Sequence, residues 1–394
     1  MPESGMAVTV EDALEIAEKI GYPVMVRPSY VLGGRGMEVV YDPENLTKYM
    51  NAAVGVTPDR PILIDRFLNH ALECEADAIS DGTHAFVPAV MEHIELAGVH
   101  SGDSACIIPS RHISEENVKI IKEYTRKIAE EMGVKGLMNM QYAIENDKVY
   151  VLEANPRASR TVPLVSKVCN IRMVPLAIDI VTSALTGRPS PVPALKEKNI
   201  PYYGVKEAVF PFNMFQEVDP GLGPEMRSTG EVLGLSQFYG EAFFKAQEAT
   251  QVKLPMVGSV LISVCDKDKD ELAEVAKSLD AAGFKIYATK GTQKALADAH
   301  IVSEFVYKIS EGGRPNTSDL IANGKIDLII NTPKTADSTA DDGYLRKSAI
   351  RKKIPYITTM AAAKATASGI QSMNKPGCGI VRSLQELHSS ITEK

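Results

Sequence analysis

The chain has 394 residues, enough for two or three domains of ordinary size. Its hydrophobic content of 44% and charged content of 24% are typical of a soluble globular protein. The formal net charge of −7 provides no basic excess for neutralising phosphates, which argues against a nucleic-acid-binding protein. Because the sequence contains neither a long uncharged apolar run nor a basic region followed by one at the N-terminus, we expect no membrane span and no secretory signal.

The cysteines are scattered and never form a C-x-x-C pair. There are five of them, at Cys74, Cys106, Cys169, Cys265 and Cys378. This pattern favours reduced thiols that pack inside a cytoplasmic protein over a zinc site or a disulfide framework.

The first two thirds of the chain predict an α+β domain. Thr9 is suited to cap a helix that Gly21 ends, and a strand follows at 24–28. Short alternating or apolar runs then continue to about Leu152, interrupted by one long helical pattern after Ser114. Many strands with few helices predict a mostly antiparallel sheet.

The pattern changes after about residue 250. Short apolar strands there alternate with helical segments, which predicts an α/β domain built on a doubly wound parallel sheet. We predict a linker at 245–258, so that the two domains span residues 1–250 and 251–394.

The stretch "VLEANPRASRT" carries the first chemical signal. The run "VYVL" predicts a buried strand that is apolar on both faces, and alternate residues of a strand share a face. Glu153 and Asn155, with Arg157 if the strand extends that far, would therefore project together, and Gln141 of "MNMQYAI" offers another oxygen. Such oxygens suit Mg²⁺, while Arg157 and Arg160 suit anionic oxygens. The alternative is a surface ion cluster at a strand end.

Two loops give weaker signals. The segment "VRPSYVLGGRGMEVV" places Gly33, Gly34 and Gly36 between two strands, either as a phosphate-binding loop or as a hairpin that happens to contain glycines. The segment "MEHIELAGVHSGDSA" gathers oxygen-bearing residues in a loop without the H-E-x-x-H spacing of a zinc site. It suits contacts to a nucleotide or a monovalent cation, or it is a polar surface loop.

Together these segments resemble a known family, the large subunit of carbamoyl phosphate synthase. The resemblance is to its C-terminal half, an ATP-grasp domain followed by a methylglyoxal-synthase-like allosteric domain, and it extends from about Thr9 to about residue 390. The motifs that carry it, in chain order, are "VRPSYVLGGRGMEVVY", "MEHIELAGVHSGDSA", "LMNMQYAI", "VYVLEANPRASRTVPLVSK", "YYGVKEAVFPFNMF" and "DPGLGPEMRSTGEVLG".

The resemblance implies an ATP-dependent phosphorylation of carbamate to carbamoyl phosphate. It implies Mg²⁺ or Mn²⁺ ligands at Gln141, Glu153 and Asn155, with Gln141 and Glu153 also facing the nucleotide. The implied phosphate and substrate arginines are Arg27, Arg157 and Arg160. Further nucleotide contacts are implied at Arg66, Leu68, Glu73, Gly98, Val99, His100 and Ser101. A potassium ion is implied beside Glu73, His93, Glu95, Val99 and Ser104.

The resemblance also implies effector binding. A nucleotide monophosphate such as UMP or IMP would contact Lys269, Thr289, Thr292, Lys308 and Asn331. Pro333 stands where the family often has a hydroxyl residue, which leaves the effector open. An ornithine-type effector would contact Glu95, Asp103, Glu207 and Thr358. Arg314 stands where true methylglyoxal synthases have a catalytic acid, so we do not expect that activity.

The family's second half begins before the segment that corresponds to this chain. We therefore expect the ATP-grasp domain to be truncated, with an N-terminal synthase section and a glutaminase small subunit as partners in pyrimidine and arginine biosynthesis. We expect little turnover by the chain alone. The alternative is a catalytically inactive relic that acts as an effector-binding regulatory protein.

Overall fold

The computed structural model describes residues 1–29, 34–54, 61–68, 71–215, 220–332 and 340–393. Gly33 and Pro333, which entered the sequence predictions, lie outside these ranges. Within the described residues, no helix is both long enough and apolar enough to cross a membrane.

A small antiparallel sheet with two helices opens the chain. Its elements are β1 (Ser4–Ala7), α1 (Val10–Ile20), β2 (Val24–Pro28), β3 (Glu38–Val40), α2 (Pro43–Val54) and β4 (Ile62–Arg66), in the strand order β1-β4-β2-β3. Thr9 accepts a hydrogen bond from the Asp12 amide at 3.1 Å and Gly21 follows the last helical residue, so the prediction for this helix is confirmed. Ala13 and Ala17 of α1 lie fully buried in one apolar cluster with Val26 and Ile64.

A larger antiparallel sheet follows. Its order is β10-β9-β5-β7-β8-β12-β13, and β6 pairs with β5. This region contains β5 (Leu72–Asp81), β6 (Ala85–Phe86), β7 (Val90–Leu96), β8 (Cys106–Ile108), α3 (Glu115–Glu131), β9 (Lys135–Glu145), β10 (Lys148–Asn155), α4 (Val162–Val168), α5 (Met173–Thr186), β11 (Lys198–Asn199), β12 (Tyr203–Val209), β13 (Gly230–Ser236) and α6 (Tyr239–Ala249). The predicted α+β class is therefore confirmed.

Strand β10 differs in part from its prediction. It lies at the edge of the larger sheet, and within it only Tyr150 is buried. A bulge between Val151 and Glu153 shifts the register with β9. The prediction of a strand apolar on both faces is confirmed, because Tyr150 and Leu152 pack in one apolar cluster and Val149 and Val151 pack against another. Burial is less complete than predicted, because β10 is an edge strand.

The remaining residues form the predicted parallel sheet, in the order β16-β15-β14-β17-β18. This part of the chain contains β14 (Gly258–Ser263), α7 (Lys269–Ala281), β15 (Phe284–Ala288), α8 (Lys290–Asp298), β16 (Glu304–Phe305), α9 (Thr317–Ala322), β17 (Leu328–Asn331), α10 (Ala340–Lys352), β18 (Tyr356–Ile357), α11 (Met360–Met373), α12 (Leu384–Ser389) and, outside the parallel sheet, β19 (Thr392–Glu393).

Contacts cross the predicted domain boundary, both next to it and from the C-terminal segment. Residues 245–249 of the predicted linker are helical, because α6 extends to Ala249, and Phe243 of this helix belongs to the same buried cluster as Val260 of β14. At the C-terminus, β19 pairs with β11, and Leu387 of α12 packs in a cluster with Val165 of α4. Division at residue 250 stays a prediction, and the linker prediction was wrong for residues 245–249.

Candidate functional site

One face of the larger sheet carries a row of polar residues. Glu75 on β5, Gln141 on β9 and Glu153 on β10 stand opposite one another in register. Residues directly opposite in an antiparallel pair project on the same side. Asn139 and Asn155, two residues away on β9 and β10, form the next pair of this row. The structure thus brings together Gln141, Glu153 and Asn155, the three residues predicted as metal ligands.

The donor atoms of this trio fit a hard divalent cation. Glu153 is exposed at the sheet edge, while Gln141 donates from Nε2 to Ser101 Oγ at 2.8 Å. The Asn155 Nδ2 atom is buried and has no hydrogen-bond partner within the described residues. One carboxylate with amide oxygens is the type of ligand set that Mg²⁺ completes with phosphate oxygens and water.

The two arginines follow β10 in a turn. The Arg157 amide donates to the Asn155 carbonyl at 2.8 Å, so the chain bends there and Arg157 does not continue the strand face of Glu153 and Asn155. Its exposed guanidinium donates to the Ala158 carbonyl at 3.0 Å. Arg160 is half-buried and donates from Nη1 to Ser228 Oγ at 2.7 Å. Arg160 is therefore already oriented, whereas Arg157 projects into solvent.

A buried carboxylate that the sequence analysis missed holds this turn. Asp77 on β5 accepts hydrogen bonds from Ser159 Oγ at 2.7 Å and from Asn139 Nδ2 at 3.0 Å. Burial, with a smaller contribution from the negative charge of Glu75, raises the pKa of Asp77 to about 6. A signal was present in "LECEADAIS", where Glu73, Glu75 and Asp77 alternate along one strand face.

The loop after β7 joins two predicted motifs. The His100 amide donates to the Gly223 carbonyl at 2.8 Å, and Gly98 donates its amide to Glu73 Oε1 at 3.4 Å. Asp103 accepts from the amides of Arg227 and Ser228 at 2.7 and 2.9 Å. Burial is the main cause that lowers the pKa of His100, which favours a neutral imidazole at pH 7. Gly98 to Ser101, the predicted nucleotide contacts that include Val99, thus lie in one anchored loop.

The glycine-rich loop approaches the same anchoring segment. A Cβ atom at Gly34 would lie 1.9 Å from the Pro224 carbonyl oxygen, and the backbone φ of Gly34 is +70°. The Gly36 amide donates to Glu225 Oε1 at 2.8 Å. Glycine at position 34 is therefore required for a close approach to the chain itself.

Three further residues predicted to contact the nucleotide or its phosphates lie on the small sheet or directly after it. Arg27 on β2 forms an ion pair with Asp65 on β4, with an Nε–Oδ2 distance of 2.9 Å. Arg66 pairs with Glu145 at 2.6 Å and so joins β4 to β9. The Leu68 side chain is buried beside Tyr150, which leaves its backbone as the group that could face a nucleotide.

The predicted potassium and ornithine residues are only partly brought together. His93 lies beside Glu73, with Nδ1 and Oε2 3.6 Å apart, whereas Glu95 accepts a hydrogen bond from Thr359 at 2.6 Å. Ser104 is also in the potassium set, and its Oγ accepts a hydrogen bond from the backbone amide of Glu95 at 3.4 Å.

In the ornithine set, both oxygens of Asp103 bind backbone amides. The hydroxyl that Glu95 binds belongs to Thr359 and not to the predicted Thr358. Glu95 and Glu207 are buried carboxylates at the junction of the two domains, and burial raises the pKa of both, that of Glu207 to about 7.

The predicted effector residues surround the start of α8. Thr289 precedes this helix and lies 3.0 Å from Ser263 Oγ, while Thr292 accepts from the Val264 amide at 3.0 Å. Lys269 Nζ pairs with Asp266 and would lie 3.1 Å from a Cβ atom at Gly291. Lys308 lies at an open cleft of about 830 Å³, which Lys290, Gly291 and Lys294 also line.

Asn331 belongs to a different environment. It is buried and donates to Ser263 O at 3.0 Å, and it accepts from Tyr356 OH at 2.6 Å. Its side chain is therefore already engaged inside the fold. The structure brings Lys269 and the two threonines together near the start of α8, whereas the Asn331 side chain is buried and bonded to other residues.

Comparison with known proteins gives the family. Residues 2–185 match the family model described as carbamoyl-phosphate synthase L chain, ATP binding domain, and residues 271–358 match the MGS-like domain. The "Carbamoyl phosphate synthase large chain, C-terminal section" of Aquifex aeolicus is 48% identical over 98% of this chain and 75% of the relative. The chain belongs to the carbamoyl phosphate synthase large-chain family.

Other carbamoyl phosphate synthase relatives differ in how much of their length is covered. The large chain of Methanosarcina barkeri is 44% identical over 100% of this chain and 98% of its own length. The large chain of Methanothermobacter thermautotrophicus is 49% identical over 98% of this chain but only 36% of its own length. The chain thus spans about a third of that carbamoyl phosphate synthase large chain.

Proposed function

We propose that this chain carries the carbamate-phosphorylating site of a carbamoyl phosphate synthase. A carbamate oxygen attacks the γ-phosphorus of ATP, the bond from that phosphorus to the β,γ-bridging oxygen breaks, and carbamoyl phosphate and ADP result. The observation that carries the proposal is the register that sets Gln141 opposite Glu153 at the sheet edge, with Asn155 beside them.

Glu153, Gln141 and Asn155 would hold Mg²⁺ or Mn²⁺, which would neutralise charge on the phosphates. Arg160 would bind anionic oxygen of the phosphoryl group, because Ser228 holds its guanidinium in place. Arg157, exposed in the same turn, would close on the substrate. Phosphoryl transfer depends mainly on positioning and charge neutralisation, which is what this set supplies.

The neutral imidazole of His100 suits the nucleotide side of the site. A neutral ring adds no charge next to Arg160 and can donate one hydrogen bond to a ribose or phosphate oxygen. The loop at residues 98–104, anchored by the hydrogen bonds of His100 and Asp103, would thus offer the side chains of His100 and Ser101 to ATP. A potassium ion near Glu73 would add to the charge balance of this loop.

The C-terminal domain is proposed to bind a nucleotide monophosphate such as UMP or IMP. Support comes from Lys269 beside Gly291 in the first turn of α8, and from the cleft along this helix, which Lys290, Lys294 and Lys308 line. The buried carboxylates Glu95 and Glu207 would suit a cationic, ornithine-type effector at the domain junction. Catalysis for pyrimidine and arginine biosynthesis would further require an N-terminal synthase section and a glutaminase small subunit.

One observation, the lysine-lined cleft beside α8, favours a second function, which is effector binding without turnover. The two are separated by one assay, in which the chain is supplied with carbamoyl phosphate, ADP and Mg²⁺ and the ATP formed is measured by a coupled reaction. The chain is tested by itself and with the preceding large-chain section of a relative. We expect ATP formation in the combined sample. UMP or IMP binding without any ATP formation in either sample would favour the regulatory function.

A further inference from the structure

We propose that Glu75, His93 and Cys106 form a buried site for a borderline divalent metal ion of the zinc class. These residues lie on the adjacent strands β5, β7 and β8, and His93 stands directly opposite Cys106 in register. One ligand atom from each residue lies within 4.8 Å of the other two, and all three residues are buried. The site adjoins the predicted magnesium site, because Glu75 stands opposite Gln141 in register, and it includes His93 of the predicted potassium set.

The distances match the edges of a metal tetrahedron. His93 Nε2 lies 3.4 Å from Glu75 Oε1, and Cys106 Sγ lies 3.6 Å from the same oxygen. Metal bonds of about 2.0–2.3 Å in tetrahedral geometry place neighbouring ligand atoms roughly 3.3–3.8 Å apart. The three side chains therefore need little movement to bind one ion, with a fourth position left for water.

The imidazole of His93 supplies an independent indication. Its side chain is 1% exposed, and neither ring nitrogen has a hydrogen-bond partner in the described part of the chain. Buried polar atoms rarely remain without a partner. A metal on Nε2 would satisfy one nitrogen, and the other could then donate to Glu73 Oε2, now 3.6 Å away, as the outer partners of metal-bound histidines do.

The donor types select the class of ion. Potassium and magnesium prefer oxygen, whereas imidazole nitrogen with thiolate sulfur suits zinc or cobalt. Lys206 on β12 stands opposite Cys106 in register and is 2% exposed, so its side chain lies buried on the same side of the sheet. One thiolate and one carboxylate would neutralise a divalent ion. The competing arrangement is a metal-free imidazolium held between Glu73 and Glu75.

Cobalt is the probe for this site. The full chain is stripped with a chelator, refolded with and without Co²⁺, and examined for bound cobalt and for thiolate-to-cobalt absorption. We expect one equivalent of cobalt and a charge-transfer band in the near ultraviolet. The Cys106→Ser variant should lose the band and at least tenfold in affinity.

Cys74→Ser is the matched control. Cys74 is equally buried and precedes Glu75 on the same strand, but it packs on the opposite face of the sheet beside Met140. This variant should keep both the band and the stoichiometry. His93→Gln is a second variant, to be used if the Cys106→Ser chain does not fold. Failure of the refolded chain to bind cobalt, or an unchanged band in Cys106→Ser, would overturn the proposal. Either result would favour the metal-free arrangement, in which the His93 imidazolium lies between Glu73 and Glu75.

Discussion

Thr161 donates a hydrogen bond from Oγ1 to Asp77 Oδ2 at 2.8 Å, across 84 residues of sequence. Ser159 binds the other oxygen of the same carboxylate. The hydroxyls of Ser159 and Thr161 therefore fix the turn that carries Arg157 and Arg160 to the middle of β5. Asp77 is a positioning residue for the arginines of the proposed site.

Asp77→Asn should loosen this turn. The amide keeps one acceptor oxygen but replaces the other with a donor, so Ser159 and Thr161 lose their charged acceptor and one of the two hydroxyls can no longer donate to it. Hydrogen bonds to charged groups contribute about 1.5–3 kcal/mol, which predicts roughly tenfold faster trypsin cleavage after Arg157 and Arg160. Asp81→Asn, at the far end of the same strand, is the control. Equal cleavage rates in all three proteins would contradict this role of Asp77.

The same substitution should alter the pH dependence of stability. The folded pKa of Asp77 is about 6, above its value near 3.9 in an unfolded chain, so folding binds a proton between these pH values. The contribution of this group to the free energy of unfolding is present below pH 4 and is lost as the pH rises through about 6. Denaturant titrations at pH 4.5 and 7.5 should therefore show a smaller pH effect in Asp77→Asn than in the parent.

Glu207→Gln should stabilise the chain at alkaline pH. Burial raises the folded pKa of Glu207 to about 7, and the negative charge of Glu95 adds to this, while Lys206 opposes it. Its stabilising contribution is present below about pH 4 and is lost as the pH rises through 7. We expect a gain of about 1–3 kcal/mol in the free energy of unfolding at pH 8, and little gain at pH 5.

Glu248 is exposed on α6, next to Gln247, and provides the control for that measurement, because Glu248→Gln removes an equal charge from solvent. Gln247 donates to Glu207 Oε2 at 2.6 Å, and a glutamine oxygen can accept this bond in the variant. The Ala208 amide, which donates to Oε1 at 3.1 Å, loses its acceptor at every pH, so this loss does not change the pH dependence. A pH-independent effect of Glu207→Gln would show that the carboxylate is not held in a raised-pKa environment.

Gly34→Ala should separate the glycine-rich loop from the segment around Pro224. The added Cβ would lie 1.9 Å from a backbone oxygen, so one of the two segments must move. We expect at least tenfold weaker ATP binding by calorimetry. Gly21→Ala has the same positive-φ penalty but meets nothing within 4 Å, and it should leave ATP affinity unchanged. Unchanged ATP affinity in both variants would show that this loop does not contribute to the nucleotide site.

Leu387→Ala tests the docking of the C-terminal segment. Leu387 is 5% exposed and packs in the cluster that includes Val165 and Tyr202 of the first domain. Truncation of a buried leucine costs about 2–5 kcal/mol. Val381→Ala in the same segment removes a 93% exposed side chain and should cost less than about 0.5 kcal/mol. Similar melting temperatures for the two variants would contradict this docking.

Local signals made parts of this fold predictable from sequence. The Thr9 cap, the Gly21 stop and the alternation after residue 250 each depend on neighbouring residues, and each is found in the structure. The register of Glu153 opposite Gln141 could not be read, because the bulge at Val151 depends on pairing between strands.

Nonlocal contacts also explain the missed residues. Nothing near Asp77 in sequence reveals Ser159 and Thr161, and nothing near Asn331 reveals that Tyr356 occupies its amide. The linker prediction was wrong at Lys245–Ala249 because helix α6 packs onto the second domain through Phe243. The composition of residues 245–258 alone does not indicate that this segment packs against the second domain.

Substitution of Glu153 tests the central claim most directly. The measurement is the rate of ATP formation from carbamoyl phosphate, ADP and Mg²⁺ by the chain combined with the preceding large-chain section, for the parent, Glu153→Gln and the control Glu131→Gln at the exposed end of α3. Loss of the carboxylate from the proposed metal site should slow the reaction roughly 10³-fold, about 4 kcal/mol of transition-state stabilisation, with the melting temperature unchanged. A Glu153→Gln rate within a few-fold of the parent and of Glu131→Gln would contradict the account.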